Sequence, residues 1–432
     1  MAALGGTKCS RNASEGGITI KHYGDITKLS GYELPIVDCI IGGSPCQDLS
    51  VAGKRAGLAG ERSGLFMEQL RIVKEMRKQD ELGNGRSGVL CRPRYMGWEN
   101  VPGSFSSAGG KDFQAVLSEI VKVVEPDAPD VPLPEKGRWP KSGCIYDEMG
   151  RWSVAYRLHD AQFWGVPQRR KRIALVADFG GLSAPEILFE RKGVSGDSES
   201  GKAQGEETPG DFGDGAGSRN GKEREVICQC FQNTGQGWWN ESEIGATIRT
   251  LCGGDSTKAN LVAAVDCRNG VEDPELNASL QSSADHNLNS NNVLRQGGIV
   301  RRLTPLECER LQGFPDGWTD IGEWTDTKGK VHKPADSPRY KALGNSIAVG
   351  YANKRSGFWM WMVKRISAQY ERAATLGSLF DGIGGFPLAW ETFNGKGSAV
   401  WASEIEEFAI AVTKKHFPEE DDNAAKGAGA CS

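Results

Sequence analysis

LGSLFDGIGGF, residues 376–386, reads as a short apolar strand that runs into a glycine-rich turn and on into a helix. Glycines in such a turn let the backbone approach a ligand closely. Twenty residues beyond Gly384, after a second predicted strand over Ala399–Ala402, stands Glu404, with Ile405 behind it. A carboxylate at that distance is where a nucleotide-binding βαβ unit holds a ribose hydroxyl. The pattern points to an adenosine-containing cofactor. It leaves NAD and S-adenosylmethionine both open, because each carries an adenosyl ribose.

Outward from this turn, strands alternate with helices. Residues 34–41 read as a strand buried on both faces, as in a parallel sheet. GLFMEQLRIVKEMRK (64–78) has apolar residues at Leu65, Phe66, Leu70, Val73 and Met76, a helical period. A strand ending in GWENVPG (97–103), a helix over DFQAVLSEIVKVV and a buried strand RIALVA (172–177) follow. A helix over 356–373 precedes the glycine-rich turn. The alternation predicts an α/β, Rossmann-like, doubly wound sheet.

The character changes after Phe179. Residues 191–225 are rich in Gly, Ser, Glu and Lys, which predicts a flexible segment. Short apolar runs among Gly, Asn and Ser over 226–300 predict a small, irregular β-rich domain inserted into the α/β one. The expected division is an N-terminal extension (1–20), an α/β part carrying chemistry (21–180), the inserted domain (181–300), a return to α/β (301–375), the cofactor part (376–420) and a tail (421–432).

A net charge of −4 over 432 residues excludes a uniformly basic coat but not a local basic groove. Eleven cysteines lack disulfide-scaffold spacing, and with five histidines no zinc pattern is complete, so no metal is expected. The N-terminus lacks a signal-peptide pattern and no apolar run would span a bilayer, which predicts a cytoplasmic protein with reduced thiols and no membrane.

Two further constellations carry chemistry. Cys46, in GGSPCQDLSVAGK (42–54), follows one predicted strand, and Glu99-Asn100 ends another. In open α/β sheets the ligand crevice lies outside those strand ends, so Cys46 and Glu99 would face each other across it. QRRKR (168–172) leads into the strand RIALVA, and alternation would put Gln168, Arg170 and Arg172 on one side. Taken alone, Cys46 reads as an inert core thiol and QRRKR as a solvated basic edge.

Together these residues resemble the DNA cytosine-5 methyltransferases. The resemblance is carried by Pro45-Cys46-Gln47, Glu99-Asn100-Val101, Gln168-x-Arg170-x-Arg172, RRLTPLECERLQGFPDGW (301–318), YKALGNSIAV (340–349), FDGIGG (380–385) and GDIT (24–27). These motifs cover most of the chain outside the inserted region. In the usual family order the FxGxG motif comes first; here it comes last, so the sequence looks circularly permuted, with ends between HFPEE (416–420) and KHYGD (21–25).

The resemblance implies methyl transfer from S-adenosylmethionine to carbon 5 of cytosine in a specific duplex DNA sequence, on a flipped base. Cys46 would be the nucleophile that adds to carbon 6. Glu99 would supply a proton or strong hydrogen bond at ring nitrogen 3, Asn100 would orient the loop, and Arg172 or Arg170 would contact the base oxygen or phosphate. For the cofactor, the resemblance implies Phe380, Asp381, Gly382 and Gly384 in the turn, Glu404 and Ile405 at the ribose, Asp25 and Ile26 at the adenine edge, and Pro45, Asn345 and Ser346 closing the site. Gln47, Ser50, Lys54, Arg55, Arg62, Gln168 and Thr247 (in ATIRT, 246–250) would meet DNA, with 181–300 as the target-recognition domain of a monomeric, prokaryotic or phage enzyme. A transfer RNA cytosine methyltransferase and a catalytically silent DNA-binding regulator are the alternatives.

Overall fold

The computed structural model describes residues 20–45, 64–166, 168–189, 303–350 and 357–418, with short strands at 231–233, 239–241, 277–278, 293–296 and 299–302. The expected flexible segment 191–225, the two termini and most of the expected inserted domain (181–300) lie outside the described residues.

Eight strands form the central sheet: β1 (Lys21–Tyr23), β2 (Cys39–Gly42), β3 (Tyr95–Asn100), β4 (Ser142–Tyr146), β5 (Ser153–Asp160), β6 (Lys171–Asp178), β7 (Leu376–Leu379) and β8 (Ala399–Ser403). Their spatial order is β1-β8-β7-β2-β3-β6-β5-β4. β1, β8, β7, β2 and β3 are mutually parallel, and the pairings Leu379↔Gly42 and Gly42↔Trp98 align the carboxyl ends of the central three.

The other half of the sheet is antiparallel, so the α/β sheet is mixed. β6 runs antiparallel to β3, and β5 and β4 continue antiparallel. The cause is connection length: only residues 161–170 join β5 to β6, too few for the crossover that parallel neighbours need. The run SVAYRLHD of β5, unassigned from sequence, is one of the longest strands in the sheet.

Helices cover both faces. α1 (Gly64–Asn84) and α2 (Lys111–Val121) pack on one face, where Phe66, Leu70, Val73, Phe113 and Leu117 meet Ile40, Met96 and Trp98. α1 outruns its predicted end at Lys78 because polar contacts hold its last turns. Arg77 donates to the carbonyls of Gly88, Cys91 and Pro93, and Asp80 accepts from the Arg92 amide. The opposite face buries α6 (Phe358–Ser367), α7 (Gly385–Asn394) and α8 (Glu407–His416), together with α3 (Ser183–Leu188) and α4 (Pro305–Gln312). α4 opens with a capping box, Thr304 and Glu307 exchanging hydrogen bonds with each other's backbone, around Pro305 at the first helical position.

The segment between α6 and β7 is wired to the start of β2. Asp38, fully buried, accepts from both Arg372 terminal nitrogens (2.7 Å each) and from the Thr375 amide and hydroxyl (2.9 Å each). Burial alone would raise the Asp38 carboxyl; the Arg372 and Thr375 hydrogen bonds outweigh it and hold the group below its ordinary value. A depressed carboxylate contributes stability above its unfolded pKa, and that contribution is lost as the pH falls through the folded value. Arg372→Ala is expected to cost about 2 kcal/mol near neutrality, discounted because Arg372 is half exposed. In urea titrations the gap to the wild type should narrow towards pH 3; a gap independent of pH would assign the cost to packing instead.

Candidate active site

The five parallel strands end along one edge of the sheet, and each expected motif hangs from one end. β7 leads into Phe380-Asp381-Gly382, β8 into Glu404, β1 into Asp25, β2 into Gly43-Ser44-Pro45, and β3 ends at Glu99-Asn100. Backbone bonds tie these exits together: Glu404 N–H donates to Tyr23 O and Asp381 N–H to Ser403 O, both at 3.1 Å.

The half of the edge around the glycine turn is built on Glu404. One carboxylate oxygen accepts from the Gly382 amide at 2.7 Å, the other from the amides of Ile405 (2.7 Å) and Glu406 (2.9 Å). Burial raises this carboxyl above its ordinary value even with those three backbone donors. Phe380 adopts a left-handed backbone (φ 53°), as do Gly382 and Gly384. A Cβ on Gly382 would meet nothing within 4 Å, so the turn is open to a ligand on that side. Asp381 points inward: Ser378 donates to one carboxylate oxygen, and the other is buried with no partner. Burial, reinforced by the nearby Glu404, pushes the Asp381 carboxyl up to about 7. Asp25 accepts from the Thr27 amide and hydroxyl, which lowers its pKa, and the Ile26 carbonyl is held by Arg71 at 3.2 Å. This arrangement suits an adenosyl group: an open glycine turn, a carboxylate with a lone pair left for ribose hydroxyls, and a buried acceptor still unfilled.

On the other side, Glu99 and Arg172 form an ion pair, Arg172 Nε to Glu99 Oε1 at 2.9 Å, with side chains 14% and 12% exposed. Arg172 opens β6 where that strand passes the end of β3. Glu99 also lies against Gly43, where an added Cβ would sit 3.3 Å from Oε2. Asn100 is a brace: its amide donates to Ser44 O (3.3 Å) while its oxygen accepts from Val101 N–H (2.8 Å). The Trp98 indole donates to Ser44 Oγ at 2.9 Å. Ser44 is thus fixed from two sides, two residues before Cys46. Exposed Pro45 is the last described residue of this loop; Cys46, Gln47, Ser50, Lys54, Arg55, Arg62 and Thr247 lie outside the described residues.

Two expected site residues are placed elsewhere. Gln168 is fully buried, its amide donating to Leu311 O (2.9 Å) and Gln312 Oε1 (2.8 Å), so it faces the interior rather than DNA. Arg170 is also buried and donates to Gly344 O (3.2 Å) and Ser346 O (2.7 Å), a tie to the 343–350 segment rather than a group at the base. Alternation misled here because QRRKR is not one strand. Gln168–Arg169 pairs separately with Asn277–Ala278, and the sheet strand begins at Lys171. Ser346 hydrogen-bonds Leu343 O, and Asn345 is exposed at the end of α5 (Asp336–Asn345). Gln312, which sequence reading passed over, completes the buried knot by donating to Leu343 O at 2.7 Å. Among the described residues, no group of three or more His, Cys, Asp or Glu could hold a metal ion, and no helix is long and apolar enough to cross a membrane.

A glycine turn with its strand-end carboxylate, an ion-paired glutamate and a braced Ser-Pro loop thus share one edge of an α/β sheet. The C-5 cytosine-specific DNA methylase family model matches residues 14–123 and 146–355, and the chain belongs to that family. The chain is similar to a DNA N-6-adenine-methyltransferase of Escherichia phage P1, 29% identical over 426 residues, 76% of this chain and 54% of that protein. It also resembles the type II methyltransferase M1.ScrFI of Lactococcus lactis subsp. cremoris, 25% identical over 336 residues, 76% of this chain and 63% of that protein. The chain therefore spans about half to two thirds of the length of these curated relatives. Among solved structures, the Dnmt2 methyltransferase of S. pombe aligns over 76% of this chain and 79% of its own at 14% identity, with a TM-score of 0.36.

A carboxyl raised in the folded state makes the protein less stable as the pH climbs from the unfolded value towards the folded one. Asp381→Asn, which cannot ionise, is expected to melt above the wild type at pH 8, with the gap closing towards pH 5 in thermal scans. A constant gap would mean that Asp381 does not titrate there.

Proposed function

We propose that this protein methylates carbon 5 of cytosine in duplex DNA, with S-adenosylmethionine as methyl donor and Cys46 as nucleophile, acting as a monomer. The observation that carries the proposal is the Glu99–Arg172 ion pair beside Gly43-Ser44, on the same sheet edge as the Glu404-bound glycine turn. When bound, S-adenosylmethionine supplies an electrophilic methyl group. Glu404 would accept from its ribose hydroxyls, Asp25 and Ile26 would read the adenine edge, and Phe380 would line the ring pocket.

Cytosine carbon 5 is too weak a nucleophile to attack unaided. The Cys46 thiolate adds to carbon 6, and Glu99, in its carboxylic-acid form, donates its proton or a strong hydrogen bond to ring nitrogen 3, which leaves electron density at carbon 5. After methylation a base removes the carbon 5 proton, the carbon–sulfur bond breaks and the Cys46 thiolate is restored. Arg172 holds Glu99 at the strand end and brings a donor towards the base oxygen. The target base must leave the stack to reach this edge, with Lys54, Arg55 and Arg62 at phosphates and the 181–300 region reading the sequence in the major groove.

We also read the chain as circularly permuted. β7 and β8 come last in sequence yet lie between β1 and β2 in the sheet, and the family model's matched segments end at 355, before FDGIGG.

The test is methyl transfer from labelled cofactor to mixed-sequence duplex DNA, with the modified base identified chemically. Expected are 5-methylcytosine in one short context, complete loss in Cys46→Ala, and a fall of about 10²- to 10⁴-fold in Glu99→Gln. N6-methyladenine that survives Cys46→Ala would overturn the proposal, and product only on transfer RNA would move the substrate class.

A further inference from the structure

The cofactor turn Phe380–Gly385 is held from behind by three elements distant in sequence. The Trp318 indole N–H donates to Ile383 O at 2.8 Å, and the Thr413 hydroxyl of α8 shares its one proton between Gly382 O at 3.1 Å and Ala409 O of its own helix at 3.0 Å. Gly384 rests on the Phe417 ring, where an added Cβ would come within 3.0 Å, and Gly385 rests on Ile347. Consecutive carbonyls of the turn are thus fixed on the side away from Glu404, which grips the Gly382 amide.

Trp318 is itself prepared for this contact. The fully buried Glu309 carboxylate accepts from the amides of Gly317 and Thr319, each at 2.7 Å, on either side of Trp318. Arg339 donates to the same carboxylate at 3.3 Å. The indole stacks flat on His416, 3.6 Å between ring centres and 3° between planes, and the His416 Nε2 pairs with Trp318 O at 2.7 Å. A buried carboxylate, an ion-paired arginine and a stacked imidazole all fix one indole whose N–H reaches the turn.

We propose that Trp318 and Thr413 are positioning residues for the cofactor: they fix the carbonyls of Gly382 and Ile383 so that the turn meets the adenosyl ligand already shaped. This rests on the reading of the turn as an S-adenosylmethionine site. A preorganised turn raises affinity by lowering the ordering cost of binding, and touches neither DNA nor the reacting atoms.

The experiment is calorimetric binding of S-adenosylmethionine and of duplex DNA, separately, to wild type, Trp318→Phe and Thr413→Val, followed by steady-state kinetics. Phe keeps an aromatic ring on His416 but lacks the donor; Val keeps the shape of Thr413 without the hydroxyl. Each variant should bind the cofactor about tenfold more weakly, the loss of one net hydrogen bond. DNA affinity should not change, KM for the cofactor should rise in step, and kcat at saturating cofactor should stay within about twofold. Should Trp318→Phe melt too low to assay, Thr413→Val decides alone. Unchanged cofactor affinity in a folded variant, or kcat falling while KM stays put, would overturn the positioning role. A wild type that binds no S-adenosylmethionine would instead remove the cofactor reading, and this inference with it.

Discussion

The parallel pairing of Leu376–Leu379 with Cys39–Gly42 is the contact on which the site depends. It sets a strand from the last seventh of the chain beside one from the first tenth, in a register that brings both carboxyl ends level. β8 then lies on one flank and β3 on the other, so the glycine turn, the Ser-Pro loop and Glu99 share an edge. A one-residue slip would turn every side chain of β7 to the opposite face. Asp38, bonded to Thr375 and Arg372 immediately before the two strands begin, fixes this register from below.

The two halves of the edge use charge differently. On the half around the glycine turn, Glu404 is met by backbone amides and Asp381 is buried with a carboxyl oxygen unpaired, and burial raises both carboxyls, which disfavours their charged forms. On the other half, Glu99 is paired with Arg172, so the two charges balance at the strand end. Arg172 occupies that position because β6 runs antiparallel to β3, which puts the start of one strand beside the end of the other. A fully parallel sheet would place the amino end of β6 at the opposite edge, away from Glu99.

Much of this was legible in the sequence, and for definite reasons. The strand–turn–helix at 376–386 and Glu404 at its spacing are local patterns, and the structure brings them within hydrogen-bonding distance. The helical period of 64–78 is likewise local. What escaped is non-local. The direction of β6 depends on the short 161–170 connection. The inward turn of Gln168 and Arg170 depends on carbonyls at 311, 344 and 346, and the end of α1 on partners near 90. Trp318 stood inside a recognised motif, but its role depends on Ile383 and His416, 65 and 98 residues away. Periodicity reports which residues are buried, not which buried polar group meets which carbonyl.

Those buried polar groups share one task. Gln168, Arg170 and Gln312 spend their donors on carbonyls of the 311–346 region, and Glu309 spends its lone pairs on amides at 317 and 319. Each satisfies backbone that regular structure leaves unpaired, which is why loops can lie buried behind the sheet edge at all. A loop held this way has one geometry, whereas one held by apolar contacts alone can slide. The site edge is made of loops on both halves, so its precision comes from these ties as much as from the strands. The order in which the chain visits the elements matters less: a hydrogen bond from Trp318 to Ile383 fixes the turn equally well whether the turn precedes or follows it in sequence.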